Sequence, residues 1–164
     1  MIIKDSMVVI HLAKITILEK SREYFGKVSI AEKVYREILA GKERGFSDVN
    51  IVEDLINKNK IKVQKVIKNN LLEKAKEYNL QGGEGESVAL YWQEEADYLA
   101  SDDDNVRKKN TILNLNIIGT PAILLYLYQN KLIEKEKFMT SVSELKKIGW
   151  FSNAVIDKLA MEIK

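Results

Sequence analysis

Short apolar runs alternate with longer amphipathic stretches along this chain, a pattern typical of strands separated by helices. The apolar runs predict five strands, at residues 1–4, 27–30, 61–66, 97–101 and 117–118. Helical spacing of apolar residues predicts helices at residues 6–20, 48–57, 71–78, 84–95, 104–113, 121–128, 135–146 and 152–163, and one through residue 37 that ends near residue 40. Strands separated by helices predict an α/β fold with parallel pairing and helices on both faces of the sheet.

Three local signals mark where helices begin or end. Ser29 and Glu32 have the spacing of a capping box, in which each side chain satisfies a backbone donor at a helix start. Gly41 predicts the end of the following helix, because glycine is common just past a helix end. The pair Gly82-Gly83 predicts a break in the chain before the next helix.

The length of 164 residues fits one domain, and the chain has no repeat and no Pro/Gly-rich linker. We therefore predict a single domain over residues 1–164, with residues 134–164 as a C-terminal helical extension packed on it. The apolar fraction of 46% and the charged fraction of 30% are those of a globular protein.

Charge and cysteine content narrow the function classes. The net charge of +2 neither demands nor excludes a nucleic acid partner, so any attraction must come from a local basic patch. The absence of cysteine excludes disulfides and thiolate chemistry and agrees with a reducing compartment. The N-terminus lacks a signal-peptide pattern, and the apolar run at residues 121–128 is too short to cross a bilayer. These features predict a cytoplasmic protein without a membrane partner.

Acidic residues recur where the predicted strands end. In an open parallel sheet, ligands bind beyond the carboxyl ends of the strands, where the strand order reverses. Asp5 ends the first predicted strand, and Asp102, Asp103 and Asp104 follow the fourth. Glu37 lies on the helix after the second strand, and Glu84 and Glu86 open the helix after Gly82-Gly83. Taken singly, each also fits an exposed helix position or a cap that favours the helix dipole.

Taken together, these acids favour a metal site. Oxygen-only ligands suit hard cations such as Mg²⁺ or Mn²⁺. Carboxylates brought together raise one another's pKa, and a divalent ion relieves that repulsion. A metal-bound water would also fit the scarcity of histidine bases, since His11 is the single histidine. We interpret His11 as a packed core or interface residue rather than a ligand.

The order of these segments carries a family resemblance. The segments are, in chain order, DSMVVIHLAKI, VSIAEKVYREI, GEGESVAL, ADYLASDDDNVR, IIGTPAILL and LKKIGWFSNAVIDKLA. They resemble motifs of PIN-domain nucleases, and most closely the VapC-toxin-like prokaryotic branch with an extra C-terminal helical segment. No single motif is specific, but this many in the right order are difficult to obtain by chance.

The resemblance implies a three-layer α/β/α sandwich with a central parallel sheet and an Mg²⁺- or Mn²⁺-dependent ribonuclease that cleaves single-stranded RNA. It places the four catalytic and metal-binding acids at Asp5, Glu37, Glu86 and Asp102. Residues implied to support them are Ser6, Glu84, Asp103, Asp104 and Thr120. In toxin members it also implies a small antitoxin partner, and a homodimer is expected on the same ground.

Two positions depart from the family pattern. The family usually has Ser or Thr two residues after the first acid, where this chain has Met7, with its hydroxyl at Ser6 instead. The proline of the second motif is Ala31 here. The first departure favours an alternative in which the protein is a catalytically weak or inactive PIN-fold module that binds RNA or protein.

Basic and aromatic residues near the acids are candidates for RNA contacts. Arg107 and Lys14 are the candidate phosphate contacts, although a solvated helix face is the simpler interpretation of most lysines here. Tyr91 and Trp92 could stack on bases, but packing is the expected role.

Two rival folds with a similar sheet are less well matched. A receiver-like signalling domain needs paired acids after the first strand, where this chain has Asp5 alone. A nucleotide-binding fold needs a glycine-rich loop at the same place, which the sequence lacks.

Overall fold

Five parallel strands form the centre of the protein in a computed structural model that describes residues 1–163. They are β1 (Ile2–Lys4), β2 (Val28–Ala31), β3 (Lys62–Gln64), β4 (Tyr98–Ala100) and β5 (Ile117–Ile118). Their order across the sheet is β3-β2-β1-β4-β5. All five predicted strands are therefore confirmed, and the α/β/α sandwich with a parallel sheet is the fold. Lys164, the last residue of the predicted domain, lies outside the described residues.

Helices surround this sheet. In the described part of the chain they are α1 (Ser6–Lys14), α2 (Leu18–Phe25), α3 (Glu32–Glu43), α4 (Asp48–Asn57), α5 (Asn69–Glu77), α6 (Gly82–Glu94), α7 (Asp104–Arg107), α8 (Thr120–Gln129), α9 (Lys135–Ile148) and α10 (Asn153–Met161). Helix α9 packs against both α8 and α10. None of the helices in residues 1–163 is long and apolar enough to cross a membrane.

The predicted helix over residues 6–20 is two helices, α1 and α2. Thr16 between them has a φ of 58°, the left-handed conformation that commonly ends a helix. Ile15 and Ile17 flank it, and both are buried. In a continuous helix, residues two apart point in nearly opposite directions, so the break allows both isoleucines to enter the core.

Three helix boundaries also differ from the sequence prediction. The capping box is wrong, because Ser29 lies inside β2, paired with Ile3 of β1, and α3 begins only after Ala31. Gly82 and Gly83 form the first turn of α6 rather than a break before it. The helix predicted over residues 104–113 ends at residue 107, and the rest of that segment is a series of turns.

The third helix also continues two residues beyond Gly41, its predicted end. A β-carbon at Gly41 would lie 3.3 Å from the ring of Phe46, so the glycine makes room for the chain to fold back after the helix.

A lysine is buried beside the apolar core of the sheet. Lys4, at the end of β1, is fully buried and its ammonium donates a hydrogen bond to the hydroxyl of Ser21. Burial lowers the pKa of Lys4 to about 7. The unfolded chain therefore binds more protons than the native state between about pH 7 and pH 10.5, and Lys4 makes stability rise with pH in that window.

We expect Lys4→Met to raise the free energy of unfolding by roughly 1–3 kcal/mol at pH 6, because the substitution removes a buried charge at similar volume. The difference between variant and wild type should shrink from pH 7 to pH 9, as native wild-type Lys4 becomes neutral. Urea unfolding of both proteins at pH 6 and pH 9 measures this. A variant less stable than wild type at pH 6 would contradict the prediction.

Candidate active site

Two neighbouring strands end where the strand order reverses. The last residues of β1 and β4, Lys4 and Ala100, are paired in register, and the backbone amide of Asp5 donates to the Ala100 carbonyl at 3.0 Å. Asp5 directly follows β1, and residues 101–103 directly follow β4. This is the edge at which ligands bind in open α/β sheets.

Asp5 is a buried acid at this edge, with 4% of its surface exposed. It caps α1, and its Oδ1 accepts a hydrogen bond from the Val8 backbone amide at 3.1 Å. Burial raises the pKa of Asp5 to about 7, and the negative charges of Asp102 and Asp103 add to this effect. Hydrogen bonds from the Ser101 hydroxyl and the Val8 amide act in the opposite direction. Asp5 is therefore a carboxyl group whose ionised form a nearby positive charge would stabilise at neutral pH.

Asp103 and Glu84 form a pair of carboxyl groups at the same edge. Asp103 caps α7, with its Oδ1 accepting from the Asn105 and Val106 amides at 2.7 and 3.2 Å. Glu84 lies in the first turn of α6 and accepts a side-chain hydrogen bond from Asn105 at 3.2 Å. Burial raises the pKa of Glu84, and the charge of Asp103 and a hydrogen bond to its side chain raise it further. Glu84 therefore resembles Asp5 in having a raised pKa whose main cause is burial.

Asp102 has a different environment from its neighbour. Its Oδ1 accepts from the Thr120 amide at 2.7 Å, and its Oδ2 accepts from the Thr120 hydroxyl at 2.5 Å. The same Oδ2 lies 2.7 Å from Nδ1 of His11. All three residues are buried. Asp102 therefore fastens β4 to the start of α8 and to α1, and His11 is a packed residue, as the sequence predicted.

Glu37 and Glu86 hold the starts of each other's helices. Oε1 of Glu37, on α3, accepts from the Gly83 amide at the start of α6 at 2.9 Å. Oε2 of Glu86, on α6, accepts from the Lys33 amide at the start of α3 at 3.0 Å. A β-carbon at Gly83 would lie 2.3 Å from Oε2 of Glu37, so this contact requires glycine there.

The remaining predicted site residues do not all lie near Asp5. Ser6 and Asp104 are the first residues of α1 and α7. Arg107 is exposed at the end of α7, and its Nη1 donates to the Ser101 carbonyl at 3.3 Å. Lys14, by contrast, is at the far end of α1, where it pairs with Asp48 at 2.9 Å.

Ser101 belongs to the site, although the sequence analysis did not select it. Its hydroxyl donates to Asp5 and also accepts from the Asp103 amide at 3.2 Å. It therefore connects the two acids and places a hydroxyl beside Asp5, where Met7 supplies none. Its position directly before the run of three aspartates was the available signal.

Tyr91 and Trp92 have the packing roles that the sequence analysis favoured. Both are partly buried against the core, and the Tyr91 hydroxyl accepts from the Asn116 amide at 3.2 Å. The ammonium of Lys74 lies 4.3 Å from the ring centroid of Trp92.

The donor chemistry at this edge fits a hard divalent cation. In residues 1–163 no three side chains of His, Cys, Asp or Glu are arranged as a ready metal cage. Even so, Asp5, Asp103 and Glu84 offer oxygen ligands only, and burial, with a smaller effect of neighbouring carboxylates, raises the pKa values of Asp5 and Glu84. A cation here would stabilise the ionised carboxylates, which burial and their mutual repulsion disfavour.

Comparison with known proteins agrees with this architecture. The family model described as DUF3368, a PIN domain, matches residues 1–163. No curated protein and no solved structure matched the chain. The predicted family is confirmed, whereas the VapC-like branch remains a prediction, and the receiver and nucleotide-binding alternatives no longer apply. The chain belongs to the PIN-domain family and has its nuclease-type fold.

Proposed function

We propose that this protein is a divalent-metal-dependent endoribonuclease that hydrolyses phosphodiester bonds of single-stranded RNA. The observation that carries the proposal is the environment of Asp5. Asp5 is a buried carboxyl group at the end of the central strand, and burial together with the negative charges of Asp102 and Asp103 raises its pKa to about 7. Such a group destabilises its own ionised form, which a bound cation would stabilise.

In this proposal Asp5, Asp103 and Glu84 bind Mg²⁺ or Mn²⁺. Asp103 and Glu84, which the resemblance assigned to support, are given this role because their carboxyl groups are electrostatically coupled with Asp5 or with each other. When bound, the cation would activate a water molecule and stabilise charge on the phosphate oxygens.

The other predicted acids have defined places in the same proposal. Glu37 and Glu86 each use one carboxylate oxygen for a backbone amide and keep the second oxygen for the cation or its waters. Asp102 has a supporting role, because its carboxylate contacts Thr120 and His11. These contacts keep its chain neighbours Ser101 and Asp103 in place.

A basic groove next to the acids supports a nucleic acid substrate. It has a volume of about 420 Å³, and its lining includes Lys33 and Arg36 of α3 and Lys76 of α5. Glu86 lines the same groove, so three cations lie beside one of the predicted catalytic acids. Phosphates of an RNA strand are the partners that such a group of cations would attract.

Removing these cations should weaken substrate binding more than chemistry. We expect the triple variant Lys33→Ala/Arg36→Ala/Lys76→Ala to raise KM for RNA roughly 10-fold or more and to lower the slope of log affinity against log salt by about 2, with kcat little changed. Lys146→Ala, an exposed charge on α9, is a control expected to behave as wild type. An unchanged salt dependence in the triple variant would remove this groove from the RNA path.

Cleavage of a labelled single-stranded RNA tests the proposed function. The assay compares Mn²⁺, Mg²⁺ and EDTA, with Asp5→Asn as the inactivated form. Metal-dependent cleavage lost in the variant supports the proposal, and cleavage that survives in Asp5→Asn would refute the site.

A non-catalytic PIN module that binds RNA or protein is the second candidate, and Met7 is the feature that favours it. The hydroxyl that Ser101 places beside Asp5 argues against it. The absence of metal-dependent cleavage of several RNAs by the wild type would favour this candidate.

Three further parts of the proposal rest on the family resemblance. They are a role as the toxin of a toxin–antitoxin pair, neutralisation by a small antitoxin protein, and a homodimeric state. We also propose a cytoplasmic location, which agrees with the absence of cysteine from the sequence.

A further inference from the structure

A cleft of about 690 Å³ opens beside the proposed metal-binding acids. Asp103 and Arg107 line it, and so do Trp150, Phe151 and Val155 from the turn between α9 and α10 and the first residues of α10. Acidic, cationic and aromatic groups thus meet in one space, and the C-terminal helices complete it. This combination of groups suits a nucleotide more than a purely apolar or purely ionic ligand.

Trp150 is both exposed and fixed. It retains 49% of its surface, although it lies next to buried His11, whose ring centroid is 5.9 Å from the indole ring. Its Nε1 donates a hydrogen bond to the Asp102 carbonyl at 3.1 Å, which fixes the ring relative to β4. A large aromatic side chain held in this way loses little conformational freedom when a ligand covers it.

We propose that Trp150 is a stacking platform for an unpaired nucleobase of the RNA, next to the phosphate that is cleaved. The proposal rests on the ribonuclease function argued above and adds to it a substrate-positioning residue. The hydrogen bond from Trp150 to Asp102, whose neighbour is Asp103, sets the distance between a stacked base and the acids. Stacking on Trp150 therefore selects which phosphate reaches the acids.

Arg107 supplies the matching charge. One guanidinium nitrogen is engaged by the Ser101 carbonyl, and the exposed remainder of the group borders the same cleft. Its other N–H groups are suited to a phosphate oxygen. An unpaired base can leave its stack to lie on an indole, whereas a base in a duplex is already stacked and paired, so Trp150 also favours single-stranded substrates.

The two tryptophans of the chain make the proposal directly measurable. Trp92 does not line the cleft, and Trp92→Phe leaves Trp150 as the single indole fluorophore. In EDTA, where cleavage is blocked, we expect single-stranded RNA to quench this fluorescence, and ribose 5-phosphate or a duplex of the same sequence to quench it far less. Trp150→Ala should bind RNA about 10- to 100-fold more weakly, with Trp150→Phe intermediate because a phenyl ring retains part of the stacking.

Circular dichroism and the unfolding midpoint establish that each Trp150 variant is folded. Trp150→Leu, which retains apolar bulk without an aromatic face, should resemble Trp150→Ala in affinity. If Trp150→Leu binds RNA like wild type and still cleaves it, the stacking platform is overturned while the ribonuclease proposal stands. If RNA quenches Trp150 but no metal-dependent cleavage occurs, the base-binding site is supported while the ribonuclease proposal fails.

Discussion

Asp5→Asn should lower the rate of metal-dependent RNA cleavage by on the order of 100-fold or more and leave the protein folded. Asparagine caps helices as well as aspartate does, so α1 keeps its start. The variant lacks the negative charge that we assign to metal binding. A cleavage assay with Mn²⁺, under conditions where wild-type activity is measured, gives the comparison.

In the absence of metal, Asp5→Asn should be more stable than the wild type, although it is less active. The native pKa of Asp5 is about 7 against an ordinary value of 3.8, so the native state binds more protons than the unfolded chain between these values. Wild-type stability therefore falls as pH rises from about 4 to 7, and asparagine, which does not titrate, avoids this loss. At pH 8 in EDTA, Asp5→Asn should be more stable than wild type, by up to ~4 kcal/mol.

A saturating Mn²⁺ titration completes this test. Binding at 100 times Kd stabilises a protein by about 2.7 kcal/mol, so Mn²⁺ should raise the unfolding midpoint of wild type and have little effect on Asp5→Asn. Equal stabilisation of both proteins by Mn²⁺ would show that the cation binds elsewhere. A variant less stable than wild type at pH 8 in EDTA would instead contradict the account of Asp5 burial.

Asp102→Ala should be the most destabilising of the substitutions at the acidic edge. The substitution removes the acceptor for the Thr120 amide, the Thr120 hydroxyl and the His11 ring nitrogen, all within a buried region. Leaving several buried polar groups without partners costs roughly 3–5 kcal/mol. Urea unfolding at pH 7 in EDTA measures the loss.

Asp103→Ala is the matched control for this prediction. It removes the neighbouring carboxylate, whose structural role is to cap the four-residue helix α7, at a cost of about 1 kcal/mol. We expect Asp103→Ala to remain folded and to lose the stabilisation by Mn²⁺. If instead Asp102→Ala is nearly as stable as wild type and loses the Mn²⁺ response, Asp102 would be the metal ligand, as the family resemblance implies.

These two variants distinguish a structural aspartate from a metal-binding one. The motif alone does not show which of the two adjacent aspartates has which role. The pair follows a strand, and consecutive residues at a strand end point in different directions. The Asp102 carboxylate contacts His11 of α1 and Thr120 of α8, and the Asp103 carboxylate interacts with Glu84 of α6. Loss of activity alone would not distinguish them, whereas stability and the Mn²⁺ response do.

The hydroxyl group beside Asp5 comes from Ser101 and not from position 7, and this bears on the expected activity. The family places a hydroxyl two residues after the first acid, and this chain has Met7 there. Ser101, from the adjacent strand, donates a hydroxyl to the same carboxyl group. Ser101, directly after the neighbouring strand, therefore provides the hydroxyl that Met7 does not.

The sequence by itself determined the alternation of strands and helices, and with it the parallel sheet and the position of Asp5. These follow from short-range patterns: apolar runs predict strands, and an acid directly after a central strand must lie at the sheet edge. At two of the helix boundaries that failed, residues 15–17 and Ser29, burial in the core or the sheet outweighed a local periodicity or capping signal.

Only the tertiary structure decided which acids face one another. Glu84 and Glu86 are two residues apart on α6 and so point to nearly opposite sides, one toward α7 and the other toward α3. The carboxylate of Asp102 is engaged by Thr120 and by His11, which is 91 residues distant in sequence. Motif order contains no information about such contacts, because they depend on how the strands and helices pack and not on the local run of residues.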